Sequence, residues 1–271
     1  MTVRRVRAGS VELAVTELGG ADDPPVLVLH GFTGAAAAMA DLGVRLADRC
    51  RVVAPDLVGH GRSDAPEMLA DYTAEAMVAQ LEAVLTAMTD GPVDVIGYSM
   101  GARAALTLGI ARPGRIRRLV LIGGTAGIDD HAARQDRVTS DEALASDIER
   151  DGIDLFVARW EALPLWGSPR TVPDTTRANI RRCRLSQRPI GLANSLRGFG
   201  TGAMPSLWRR LPQVAAPTLL LVGELDVKFQ EIAARMDEAL PSAAFRLVPD
   251  AGHDAHVVAP EEVADACLAH L

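Results

Sequence analysis

The stretch Val95–Gly109, VIGYSMGARAALTLG, changes character within a few residues. A buried-strand pattern runs into Gly97-Tyr98-Ser99-Met100-Gly101, and a helical pattern follows at once. A strand-to-helix turn this tight leaves no room for side chains beside the serine, which accounts for the two glycines. It also pushes Ser99 out at the carboxyl end of the strand, where open α/β sheets bind their ligands. The helix N-terminus behind the serine favours developing negative charge. Arg103 lies four residues further on, on the same helical face as Ser99. A nucleophile meant for a neutral ester has little use for such a neighbour.

Working outward, apolar runs bounded by turn residues recur along the chain: PVLVLHG (25–31), CRVVAPD (50–56), PVDVIGYS (92–99), IRRLVLIGG (116–124), APTLLLVGE (216–224) and AAFRLVPDAGH (243–253). Nearly uninterrupted β-branched cores of this kind read as strands buried on both faces. Helical patterns such as TAEAMVAQLEAVLTAM (73–88) alternate with them. VRRVRAG and VELAVTELG, joined by Gly9-Ser10, read as an antiparallel hairpin at the sheet edge. The fold class expected is α/β, a mostly parallel doubly wound sheet with an N-terminal antiparallel hairpin. Residues 125–211 break the rhythm: they are rich in Arg, Asp, Trp and Pro, with helical segments such as DEALASDIERDGIDLFVARWEAL. They read as a helical cap inserted into a core formed by 1–124 and 212–271.

A serine hydroxyl needs a base, and the base an orienting acid. On this type of scaffold the order is serine, acid, histidine. Asp226 follows the strand TLLLVG, and His253 follows the last strand in PDAGHDAH. Glu224, Asp250 and His256 are competitors within three residues, and His30, His60, His131 and His270 are less suitable on position. The loop LHGFTGAA (29–36) brings the backbone N–H of Phe32 towards that of Met100, a pair suited to holding an oxyanion. His30 and His60 read as loop-holding residues, and Asp56, Arg62 and Asp64 as turn braces.

Composition narrows the partners. The chain has 271 residues and a net charge of −7, which argues against nucleic acid and anionic membrane surfaces. No apolar run approaches a membrane span and no secretory signal is evident, so a cytoplasmic protein is expected, a monomer or small homo-oligomer. Three scattered cysteines form neither a disulfide framework nor a zinc site, and no residue cluster calls for a metal or an organic cofactor. Arg137 and Arg184, both in the 125–211 segment, would with Arg103 suit a carboxylate-bearing substrate if they converge. The alternative is that Arg103 bonds a helix or loop carbonyl and that the others are solvated.

Together the elbow, acid and histidine motifs resemble the α/β-hydrolase superfamily across the whole chain. HGFTG, GYSMGAR, RVTSDEALA, GLANSLRGFGTGAMPSLW and GELDVKF are similar to the 2-succinyl-6-hydroxy-2,4-cyclohexadiene-1-carboxylate synthases of menaquinone biosynthesis. That resemblance implies a lyase, with a small, multiply anionic substrate. Ser99, activated by His253 and Asp226, would abstract a ring proton from 2-succinyl-5-enolpyruvyl-6-hydroxy-3-cyclohexene-1-carboxylate and set off the loss of pyruvate. Phe32 and Met100 would hold the developing enolate, and Tyr98, Arg103, Arg137, Trp160 and Arg184 would bind substrate. Arg134, Arg181, Arg182 and Arg188 are close competitors for the two outer arginine positions. Two rivals stay open: a carboxylesterase or carbon–carbon bond hydrolase on an acidic substrate, and a non-catalytic binding protein on the same scaffold.

Overall fold

The computed structural model describes residues 1–20, 22–168 and 170–271. Its sheet begins with the hairpin β1 (Thr2–Ala8) and β2 (Val11–Leu18), turned at Gly9 with φ 62°. There follow β3 (Pro25–Leu29), α1 (Ala40–Leu46), β4 (Arg51–Pro55), α2 (Ala74–Met88), β5 (Val93–Tyr98), α3 (Met100–Ala111) and β6 (Ile116–Ile122). Three helices come next: α4 (His131–Glu161), broken at Gly152 where φ is 79°, then α5 (Asp174–Leu185) and α6 (Pro189–Phe199). The chain returns to the sheet as β7 (Thr218–Gly223), α7 (Val227–Ala239) and β8 (Ala243–Val248), and ends in α8 (Ala255–Val258) and α9 (Pro260–His270). The strand order is β1-β2-β4-β3-β5-β6-β7-β8. Strands β3 to β8 pair in parallel, and β2 joins β4 antiparallel.

The strand sequences explain the layering, because alternate residues face opposite sides. Leu27, Leu29, Val95, Leu119, Leu121 and Leu220 enter a core shared with α2, α3 and α7. Val26, Val28, Ile96, Val120, Ile122 and Leu221 enter a second core against α1 and α9. The expectation of two-faced burial fails for AAFRLVPDAGH. β8 lies at the sheet edge with β7 as its neighbour, and its Ala244, Arg246 and Leu247 are exposed.

The helices between β6 and β7 have a small core of their own: Ala145, Ile148, Phe156, Val157, Leu192, Ala193 and Leu196. Phe32 and Trp160 pack against it, so this core reaches down to the loop after β3. α6 is seated on the sheet layer by glycine contacts. A Cβ on Gly191 would stand 2.1 Å from the Gly59 carbonyl oxygen, and one on Gly198 would stand 2.6 Å from Tyr72 Cβ. Between the same elements, Arg188 donates to the Ser63 carbonyl and Asn194 to the carbonyls of Pro66 and Glu67.

Because backbone cannot retreat as a side chain can, Gly191→Ala is expected to lower unfolding free energy by about 1–3 kcal/mol, the cost of overpacking. Gly114→Ala, where a Cβ meets nothing within 4 Å, is the comparison and should be close to neutral. Urea denaturation of both variants measures the difference, and equal midpoints would show that α6 is not seated through Gly191.

Candidate active site

Ser99 occupies the turn between β5 and α3 at φ 50° and ψ −105°, a conformation that L-residues seldom adopt. The flanking glycines are required sterically. A Cβ on Gly97 would lie 2.3 Å from the Gly101 carbonyl oxygen, and one on Gly101 would lie 2.2 Å from that of Leu29. The Ser99 N–H donates to the Ile122 carbonyl at 2.8 Å, which ties the turn to β6.

The structure brings Ser99, His253 and Asp226 together. His253 Nε2 is 2.9 Å from Ser99 Oγ, and His253 Nδ1 is 2.7 Å from Asp226 Oδ2. Asp226 precedes α7 and is 8% exposed, and His253, in the loop before α8, is 5% exposed. With Nδ1–H donating to the carboxylate, Nε2 is free to accept from the serine hydroxyl. Phe229 lies over the imidazole at 4.5 Å between ring centroids. Of the competitors, Glu224 accepts from the Asp250 backbone N–H at 3.0 Å. His256 lies behind Tyr98, with ring centroids 4.0 Å apart.

The loop after β3 passes close to the serine: a Cβ on Gly31 would stand 3.5 Å from Ser99 Cβ. His30 holds that loop. Its Nδ1 contacts the Gly31 carbonyl at 2.8 Å, and its Nε2 accepts from the Leu57 N–H at 2.9 Å. Asp56 braces the same region by accepting from the backbone N–H groups of Ala36 at 2.7 Å and Arg62 at 2.9 Å. Phe32, Met100 and Ser99 all border one hollow.

That hollow has a volume of about 360 Å³. Its cations are Arg103, Arg137 and Lys228, and its aromatic walls are Phe32, Tyr98, Trp160, Trp166 and Phe229. Arg103 does bond a carbonyl, and it also borders the hollow. Its guanidinium donates to the Phe199 carbonyl, reaches Met204 Sδ at 3.5 Å and lies 5.1 Å from the Phe199 ring centre, while still facing the hollow. Burial, reinforced by Arg137, pulls its pKa down to about 9, and Asp141 opposes that shift. Arg103 is therefore a desolvated cation whose direct hydrogen-bond partners are neutral. Arg137 is shared with Asp141, to which its Nε donates at 2.8 Å. The Trp160 indole N–H is buried without a hydrogen-bond partner among the described residues.

Arg184 does not join this group. It lies over the Trp166 ring at 4.9 Å, pairs with Glu161 at 3.3 Å, and borders an adjoining hollow with Tyr98, Asp254 and His256. The other arginines are committed elsewhere: Arg134 to the Gly202 carbonyl, Arg181 to Glu161, Arg182 to Asn179 and Arg188 to Ser63. Lys228 escaped the sequence reading. Its signal was its place in GELDVKF, two residues beyond the acid on the first turn of α7.

Fold and geometry define a class, an α/β-hydrolase scaffold carrying an assembled Ser–His–Asp relay. The sequence matches the alpha/beta hydrolase fold family over residues 24–260. A Bacillus subtilis (strain 168) protein provisionally named 2-succinyl-6-hydroxy-2,4-cyclohexadiene-1-carboxylate synthase is 39% identical over 96% of this chain and 94% of its own. The protein with that name from Serratia proteamaculans (strain 568) is 30% identical over 92% of this chain and 94% of its own. The solved structure of MenH from S. aureus superposes with a TM-score of 0.89 at 34% identity, covering 95% of this chain and 97% of that one. The chain belongs to the alpha/beta hydrolase fold family and, within it, to the group of these synthases.

Three buried imidazoles around the site carry a pH dependence. Burial lowers the pKa of His30 to about 4 and those of His60 and His256 to about 3. The nearby histidines His30 and His253 add to the lowering at His60 and His256 respectively. Each folded value lies below the unfolded one, near 6.5, so the unfolded chain binds the extra protons as pH falls. Stability present above pH ~6.5 is lost on acidification, with a limiting slope of about 4 kcal/mol per pH unit if all three act. Chemical denaturation at steps from pH 7 to pH 5 should show this fall, and His256→Gln should remove one proton from the slope. A flat profile over that window would rule out neutral burial.

Proposed function

We propose that the protein is a carbon–oxygen lyase that eliminates pyruvate from 2-succinyl-5-enolpyruvyl-6-hydroxy-3-cyclohexene-1-carboxylate, forming 2-succinyl-6-hydroxy-2,4-cyclohexadiene-1-carboxylate for menaquinone biosynthesis. The observation that carries this reading is the cation set of the hollow. Arg103, Arg137 and Lys228 share one space of about 360 Å³ with Ser99 and His253. Three carboxylates on a six-membered ring suit such a space, because guanidinium groups bind carboxylates in bidentate fashion and gain most when already desolvated.

In this reading Ser99 Oγ takes the ring proton next to the succinyl carbonyl while its own proton passes to His253 Nε2. Asp226 holds the imidazole in orientation and balances the imidazolium that forms. The electron pair moves first onto the succinyl carbonyl oxygen, where the N–H groups of Phe32 and Met100 act as an oxyanion hole. It then returns through the ring double bond and breaks the bond to the enolpyruvyl oxygen. The departing enolpyruvate takes a proton on carbon to become pyruvate, and His253 gives up the proton it held. No acyl-enzyme and no attacking water enter this sequence.

Residues 125–211 act as a cap over the core of 1–124 and 212–271, contributing Arg137, Trp160 and Trp166 to the substrate space. Tyr98 forms its floor beside the serine, and Trp160 offers an unused N–H to a substrate oxygen. Arg184, behind Trp166, serves the adjoining hollow and reaches the substrate only if Trp166 moves. Three buried, free cysteines suit a reducing compartment, and the site of action in this reading is cytoplasmic.

Purified protein should release pyruvate from the cyclohexene substrate in a coupled assay, and Ser99→Ala should abolish that release. Arg103→Ala is expected to reduce kcat/KM by about 1.5–3 kcal/mol of transition-state binding, the scale of a charge-assisted hydrogen bond. Hydrolysis of p-nitrophenyl acetate at rates far above pyruvate release would instead assign the relay to ester chemistry.

A further inference from the structure

Outside the triad hollow lies a second, larger hollow of about 670 Å³. The two share wall residues, among them Thr125, Arg137, Lys228 and Phe229, so the outer space abuts the inner one directly. Its own cation is Arg235, on the exposed side of α7, with the guanidinium carbon 4.3 Å from the centre of the Trp208 ring. The Trp208 indole N–H donates to the Gly127 carbonyl at 3.0 Å, which fixes the platform under that charge. Among the described residues no carboxylate forms a salt bridge with Arg235, unlike Arg181, Arg184, Arg170 and Arg197, each of which has an acidic partner.

The cations thus form a series. Arg235 borders the outer hollow alone, Arg137 and Lys228 border both, and Arg103 borders the inner one. Two aspartates also face the outer hollow, and both have other tasks. Asp129 accepts from Ser206 Oγ at 3.1 Å, and Asp130 caps α4 by accepting from the Ala133 N–H at 2.8 Å. Asp141 offsets Arg137, whereas Lys228 and Arg235 form no salt bridge among the described residues, so the opening presents two uncommitted cations on a chain whose net charge is −7. Cations without a counter-ion at the mouth of a site raise the encounter rate of an anion that the rest of the surface repels.

We propose that Arg235 on Trp208 forms an outer capture site for a carboxylate, which then passes inward by way of Arg137 and Lys228 to Arg103. The site rests on the anionic-substrate reading above, and it sets the rate of substrate arrival without touching the reacting atoms. Stacking supplies what the site needs: the guanidinium is held in place by an aromatic face, not by a counter-ion that the substrate would have to displace.

The experiment compares Arg235→Glu with Arg209→Glu, an equal charge change on a neighbouring exposed arginine outside the hollow. Arg235→Glu is expected to lower kcat/KM for pyruvate release about three- to tenfold at low ionic strength, the lower end of steering effects, with kcat retained. The deficit should shrink as added salt shortens the screening length. Arg209→Glu should show a much smaller loss. A second arm needs no turnover: citrate, as a tricarboxylate probe, should change Trp208 fluorescence in the wild-type protein. That response should be absent in Trp208→Phe and markedly weaker in Arg235→Glu. Equal losses in the two arginine variants, or citrate binding indifferent to Arg235, would overturn the capture site. Absence of pyruvate release from wild type, with citrate binding still dependent on Arg235, would overturn the assigned reaction and leave the carboxylate site standing.

Discussion

The backbone of Ser99, at φ 50° and ψ −105°, is the constraint on which the site depends. An L-residue held in so sparsely populated a region costs about 1–3 kcal/mol, and it persists only where its surroundings over-determine it. Here they do. The Ser99 N–H is taken by Ile122, Gly97 meets the backbone of Gly101, and Gly101 meets that of Leu29. Three adjacent strands, β3, β5 and β6, thus converge on one turn, and two hydrophobic cores hold those strands from opposite faces. The serine cannot relax without moving the centre of the sheet. With Ser99 Oγ fixed, the loops that supply Asp226 and His253 have only to reach it, and they come from the carboxyl ends of β7 and β8.

The second organising feature is how the arginines are neutralised. Over most of the helical layer they are matched with acids: Arg197 with Glu142 and Glu149, Arg159 with Asp151, Arg181 and Arg184 with Glu161. Arg103 has no such match in direct contact, only a carbonyl, a thioether and an aromatic face. Burying a cation without a counter-ion is costly, and the depressed pKa of Arg103 expresses that cost. An incoming carboxylate would relieve it, which a neutral ester could not. The same desolvation that makes the Arg103 charge costly therefore favours an anionic occupant over an uncharged one.

How far the sequence disclosed this depends on whether a feature is local. The elbow was legible because Gly97, Ser99 and Gly101 satisfy a steric requirement within five residues, and the relay was legible because acid and histidine each follow a strand. The loop proposed to hold the oxyanion was legible in its position for the same reason, since His30-Gly31-Phe32 directly follows β3. The arginines of the helical layer were not. Arg137 and Arg184 look equivalent in the chain, yet they border different spaces with Trp166 in the wall of both: Arg137 borders the hollow that holds Ser99, and Arg184 the adjoining one. That division comes from the tertiary seating of the helices, through contacts such as Gly191 on Gly59, which no periodicity encodes. Lys228 was missed for a related reason: on an exposed first turn of α7 it reads as a solvated lysine until the hollow beside it is known. β8 misled in the other direction, since its apolar residues suit a buried strand and only the strand order makes it an edge.

A Ser–His–Asp relay of this geometry serves acyl transfer and proton abstraction equally, so the reaction must be chosen by what the walls present to Ser99 Oγ. Attack on an ester needs a carbonyl carbon at the serine and a route for water in the second half-reaction. Abstraction needs a C–H at the serine and an enolate oxygen at the loop N–H groups, and it is helped by keeping water out. Phe32, Trp160, Trp166 and Phe229 line the hollow that Ser99 and His253 border, and Arg103 and Arg137 line the same hollow. In the proposed reaction a ring laid against those faces, with its carboxylates on the cations, would offer an edge C–H to the serine and not a carboxyl carbon. In the proposed reaction, then, the arginines do more than add affinity. By tying up the carboxylates they keep the serine from the only acyl carbons at the carboxylate oxidation level that the substrate carries, and they leave the acidic ring C–H as its partner.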